Sequence, residues 1–106
     1  MADVKVSVTF RHTAPTDALK RYVEAKVHRL GKFSDRPVEA HVVLSVDAKQ
    51  RHFAEIELRS RGLTIHGREE TDDLYSAIDL LMGKVGRQVQ KHKEKIKLER
   101  RRNAQD

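Results

Sequence analysis

Residues 84–102 hold nine cations, Lys84, Arg87, Lys91, Lys93, Lys95, Lys97, Arg100, Arg101 and Arg102, against the two carboxylates Glu94 and Glu99. Residues 1–83 contain 13 Lys/Arg and 13 Asp/Glu, so the net charge of +6 comes from this one C-terminal segment. A field with such a direction suits a polyanionic partner, nucleic acid first and an acidic membrane surface second. On a helix turning about 100° per residue, Lys84, Arg87, Lys91 and Lys95 fall within an arc of roughly 80°. Four cations on one ridge can follow a run of phosphates, because lysine brings a mobile point charge and arginine a forked set of donors. Lys93 and Lys97 widen the field on the other flank. A solvated helix end, whose cations suit the negative pole of the helix dipole, accounts for two or three lysines. Nine in one segment of an otherwise neutral chain point to polyanion binding.

Other chemistries find less support. Six histidines are present, but His12, His28, His41, His52, His66 and His92 form no HxH or HxxxH pair, and zinc wants three or four converging ligands. The carboxylates Glu69, Glu70, Asp72 and Asp73 could hold Mg²⁺, yet acidic residues at a helix N-terminus are explained by the positive end of its dipole. No GxSxG, P-loop or dinucleotide fingerprint occurs. Without cysteine there is neither a disulfide framework nor a thiolate site. The expectation is a protein that is not an enzyme, with no cofactor, metal or small-molecule substrate. The opening "MADVKVSVTF" alternates instead of running apolar, which predicts neither a signal peptide nor a membrane span and makes the cytoplasm the default compartment.

The basic ridge needs a scaffold. A chain of 106 residues has a one-domain length. Val4, Val6, Val8 and Phe10 alternate with Lys5, Ser7 and Thr9, predicting a half-buried strand. A helix follows, capped by Thr13 or Thr16, with Leu19, Tyr22, Val23, Val27 and Leu30 on one stripe and Gly31 as its stop. Three further strands are predicted, facing inward through Val38, Ala40, Val42, Leu44 and Val46, then Ala54, Ile56 and Leu58, then Leu63 and Ile65 of "GLTIHG". Their hairpin-sized links make an antiparallel meander. From about Asp72 one long helix carries Leu74, Ala77, Ile78, Leu81, Val85, Val89 and Ile96 on its apolar stripe. The fold class is therefore α+β, in the order β-α-β-β-β-α: a four-stranded sheet with both helices on one face. A final helix of about 28 residues would be about 42 Å long, against about 26 Å for an eight-residue strand, and so outruns the sheet. Residues 1–98 form the domain, and 99–106 are expected to be a short basic disordered tail. Gly83 and Gly86 inside the last helix each cost about 0.8–1 kcal/mol of propensity relative to alanine.

Lys20, Lys26 and Arg29 flank the apolar stripe of the first helix, so two helices side by side predict a groove with basic walls. The opposite sheet face carries Lys5, Thr9, Val43, Phe53, Glu55, Glu57, Arg59, Thr64 and His66. Mixed charge and a single aromatic make it a poor platform for stacking splayed bases. The helical side is the better surface, and backbone or shape recognition the better mode.

"TDALKRYVEAKVHRL", "IHGREETDDLYSAIDLL" and "GRQVQKHKEKIK" resemble the family of ribosome hibernation-promoting factors and ribosome-associated translation inhibitors, from about residue 3 to 98. The resemblance implies a fold akin to double-stranded RNA-binding domains with an extra strand. It also implies a function: binding the small ribosomal subunit, through its ribosomal RNA, in the channel for mRNA and the A- and P-site tRNAs. That would inhibit translation and preserve idle ribosomes under stress or in stationary phase. On the matching positions it implies that Lys20, Lys26, Arg29, Lys84, Arg87, Lys91, Lys93 and Lys95 contact ribosomal RNA, and that Tyr75, Ala77, Ile78 and Leu81 are core. The chain has the extent of a short hibernation-promoting factor, expected to be monomeric when free. The alternative on the same fold is a general double-stranded RNA-binding module without ribosome preference.

Overall fold

The computed structural model describes residues 3–31, 37–60 and 62–105, with side chains described as far as Lys95. The elements follow the order β1 (Val4–Arg11), α1 (Asp17–Gly31), β2 (Val38–Val46), β3 (His52–Ser60), β4 (Leu63–Thr71) and α2 (Leu74–Gln105). They build one sheet in the order β1-β2-β3-β4. β1 and β2 are parallel, joined through α1, with Val4 opposite Val38 and Phe10 opposite Leu44. β2–β3 and β3–β4 are antiparallel, with Val42 opposite Ile56 and Leu58 opposite Ile65. This is the expected β-α-β-β-β-α fold, with the predicted inward faces turned toward both helices.

The core lies between sheet and helices. It gathers Leu19, Val23, Val27 and Leu30 of α1, the inward residues of β2 and β3, Ile65, and Leu74, Ala77, Ile78, Leu81, Met82, Val85 and Val89 of α2. Edge strand β1 packs its Val4, Val6, Val8 and Phe10 against this cluster half-buried. Gly67 of β4 sets how closely α2 approaches the sheet: a Cβ there would lie 2.8 Å from Leu81 Cδ1 and 3.4 Å from Ile56 Cγ2. Gly86 does the same between the helices, since its Cβ would meet Leu30 Cδ2 at 3.3 Å. Its propensity cost thus has a packing reason; nothing in the structure explains Gly83, which faces open space.

Both helices are capped at their starts. Thr16 Oγ1 accepts from the Leu19 N–H at 3.2 Å, so Thr16 is the N-cap of α1 and Pro15 precedes it. Asp73 caps α2, its Oδ2 accepting from the Ser76 N–H at 3.2 Å and the Ser76 hydroxyl at 3.0 Å. The backbone bond from Ser76 holds the Asp73 carboxyl below its usual range. Glu69 and Glu70 belong to β4, which runs to Thr71, four residues beyond the expected segment "GLTIHG". At 32 residues α2 would span about 48 Å, which matches a molecule of 58 × 24 × 16 Å. Its backbone continues to Gln105, through residues expected to be a tail; the expected stripe position Ile96 and cation Lys97 lie beyond the described side chains.

Candidate nucleic-acid interface

The rotation of α2 on the sheet decides where its cations point. Leu81 and Val85 lie over Gly67 of β4, and Gly86 touches Leu30 of α1. The Lys84–Arg87–Lys91–Lys95 arc is therefore on the flank away from α1, beside the edge strand β4. All four side chains are exposed. Val89 is the last buried residue among those described. Lys91, Lys93 and Lys95 thus sit on a helix that projects past the body, reachable from several sides.

The flank is not uniform. Lys84 is ion-paired with Glu69, whose side chain is only 16% exposed at the foot of the helix. Arg87, Lys91, Lys93 and Lys95 have no ion pair among the described residues. Leu80, 50% exposed, lies within the same arc one turn ahead of Lys84, giving the row an apolar head. A leucine off the apolar stripe was visible in the sequence; Glu69 was not, because nothing local ties it to Lys84.

The cations of α1 divide. Tyr22, Lys26 and Leu30 define the side facing α2, through Tyr75, Asp79 and Gly86 respectively. Lys26 Nζ is 3.4 Å from Asp79 Oδ1 and 5.2 Å from the Tyr22 ring centroid. Arg29 is exposed and near enough to oppose electrostatically the rise in the Tyr22 pKa, which comes mainly from the hydroxyl donating to Asp79 at 2.5 Å. Lys20 falls on the opposite flank of α1 and is exposed. The eight residues therefore do not line one basic groove. Four form the outer ridge of α2, Lys93 its inner flank, Lys26 and Arg29 the interhelical side, and Lys20 stands apart.

Tyr75, expected in the core, is 40% exposed. At the boundary of the apolar stripe it meets Tyr22 edge-to-face at 5.1 Å instead of entering the sheet interface.

On the other sheet face the arginines are paired internally. Arg59 pairs with Glu57, Arg68 with Glu55 at 3.4 Å, and Arg51 with Asp47 at 2.7 Å and Glu70 at 3.5 Å. Arg68 and Arg51 also cover Phe53, at 4.6 and 5.7 Å from the ring centroid. His41 is held by Ser7 and Glu39. Among the described residues no group of three or more histidines or carboxylates is gathered as a metal site, and no helix is long and apolar enough to cross a membrane.

The chain matches the family described as Sigma 54 modulation protein / S30EA ribosomal protein over residues 6–97. It is similar to the ribosome hibernation promoting factor of Escherichia coli (strain K12), with 37% identity over 94 residues covering 89% of this chain and 98% of that protein. Among solved structures it resembles the Thermus thermophilus Protein Y N-terminal domain, with TM-score 0.77 and 34% identity over 85% of this chain and 98% of that one. It also resembles a ribosomal subunit interface protein from Coxiella burnetii, with TM-score 0.73 and 26% identity over 85% and 98%.

Proposed function

This chain belongs to the Sigma 54 modulation protein / S30EA ribosomal protein family and is a ribosome hibernation factor; we propose that it acts by laying the outer flank of α2 along ribosomal RNA of the small subunit. The observation that carries this reading is the exposed row of Lys84, Arg87, Lys91 and Lys95, three of them without an internal counter-ion among the described residues. Each such cation that meets a phosphate releases condensed counterions, so binding is favoured by entropy and falls steeply with salt. A helix that outruns its sheet can enter a cleft too narrow for the whole domain. The channel for mRNA and the A- and P-site tRNAs is such a cleft walled by RNA. Filling it blocks translation by occupancy, with no catalysis, cofactor or small-molecule substrate. Lys26, Arg29 and Lys20 on α1, with Lys93, supply secondary contacts. The protein works as a cytoplasmic monomer in this scheme.

Co-sedimentation with small subunits tests it. Lys84→Glu/Arg87→Glu/Lys91→Glu reverses the charge of the ridge and is expected to abolish association at low salt; Arg87→Glu/Lys91→Glu, which keeps the Lys84–Glu69 pair, is expected to weaken it strongly while the thermal unfolding midpoint stays near that of the wild type. Retained association would overturn the assignment. Equal affinity for a plain RNA duplex and for ribosomes would instead favour a general double-stranded RNA-binding module.

A further inference from the structure

Between the helices, at the first turns of α2, four side chains make a notch unlike the phosphate-facing ridge. Tyr75 meets Tyr22 edge-to-face, Tyr22 donates to Asp79 Oδ1, and Lys26 reaches the same oxygen while lying over the Tyr22 ring. The cluster is open to solvent, with Tyr75 40% exposed and the Asp79 side chain 52%. A carboxylate is also the wrong group to offer a phosphate. Its second oxygen, Oδ2, has no partner among the described residues and can accept hydrogen bonds. An exposed aromatic ring beside a free acceptor, with Lys26 and Arg29 at hand for the neighbouring backbone, is the chemistry that receives a single base turned out of its stack. Phe53 on the opposite face is already covered by two guanidinium groups, so Tyr75 is the more open platform.

We propose that this notch binds one unstacked nucleobase of the RNA, its ring on Tyr75 and an exocyclic amino group donating to Asp79 Oδ2. The proposal rests on the RNA-binding function above, and it adds base readout to a surface otherwise recognising backbone. Tyr22 and Tyr75 are the chain's two tyrosines and it has no tryptophan, so intrinsic emission reports on this notch alone.

The full chain is titrated with end-labelled single-stranded oligo(C), oligo(U) and an RNA duplex, following anisotropy for binding and tyrosine emission for the notch. Emission should be quenched in step with oligo(C) binding and much less with duplex. Tyr75→Leu should lose about tenfold in single-strand affinity, within the range of base–aromatic stacking, with duplex affinity unchanged and Tyr75→Phe close to wild type. Asp79→Asn should erase the preference for oligo(C), whose base carries an amino group, over oligo(U). This arm decides the matter if Tyr75→Leu fails to fold. Oligo(C) binding without quenching, or equal losses on single strand and duplex, overturns the notch. Wild type that co-sediments with small subunits while the notch variants bind RNA as wild type does would overturn the notch and leave the ridge standing. Wild type that binds neither ribosomes nor RNA would overturn both.

Discussion

The two broad surfaces of this domain use the same residue types to opposite ends. On the open sheet face Arg51, Arg59 and Arg68 each have a carboxylate within 4 Å, supplied across or along the strands by Asp47, Glu55, Glu57 and Glu70. On the outer flank of α2 Glu69 engages only Lys84 among the described residues, and Glu94, at the margin of the row, forms no ion pair among them. Surface pairs of the first kind contribute little stability, but they leave these arginines less charge for a partner to neutralise. The unpaired row has counterions to release. On the function proposed above, what separates the binding surface from a solvated one is the shortage of paired carboxylates, more than the number of cations.

Charge reversal tests that contrast most strongly. Lys84→Glu/Arg87→Glu/Lys91→Glu should lower small-subunit affinity by at least about 100-fold, since several phosphate contacts become repulsions. Arg59→Glu/Arg68→Glu on the sheet should change it by less than about threefold at physiological salt, where charges beyond about 8 Å are screened. Comparable losses from both variants would erase the distinction. A smaller effect comes from Gly67, which fixes the rotation of α2 and hence the direction of the ridge. Gly67→Ala drives a methyl group against Leu81 and should cost about 1–3 kcal/mol in denaturant unfolding, as overpacking does. Gly83→Ala, with open space around it, should instead stabilise by about 0.8–1 kcal/mol.

Glu69→Gln sharpens the comparison by making the ridge uniform. Freeing Lys84 should tighten binding a few-fold at low salt and steepen the log–log salt slope by about 0.9, one more counterion released. An unchanged slope would mean that Lys84 does not meet a phosphate. The least effect belongs to Asp73. Its folded-state pKa is depressed, so its contribution as helix cap is present above the ordinary carboxylate pKa and is lost as pH falls through the lower folded value. Asp73→Ala should flatten that acid limb of the stability profile and leave binding at neutral pH nearly unaltered.

Much of this was legible because it is periodic. Alternation in "VKVSVTF" and "VEAHVVLSV" specified inward faces that the sheet register reproduces, and the 3.6-residue stripe of α2 placed its cations on one arc. Where periodicity ended, so did legibility. β4 reads as a strand only through Ile65 and Gly67 because its next inward residue, Glu69, faces Lys84 and not an apolar side chain. Tyr75 lies at the margin of the stripe, and its partner Tyr22 is on another helix, a contact that spacing alone does not reveal. The single basic groove foreseen between the helices became two surfaces for a similar reason. The approach of α2 at Gly67 and Gly86 turns the ridge outward, and that rotation is a tertiary quantity.

The central claim is that the outer flank of α2 is the phosphate-facing surface, and the salt dependence of small-subunit binding tests it directly. Measured from low to physiological salt, Arg87→Gln/Lys91→Gln/Lys95→Gln should reduce the slope of log Kobs against log salt by about two to three relative to wild type, roughly one per cation removed. A slope equal to that of the wild type would contradict the claim, whatever the change in affinity.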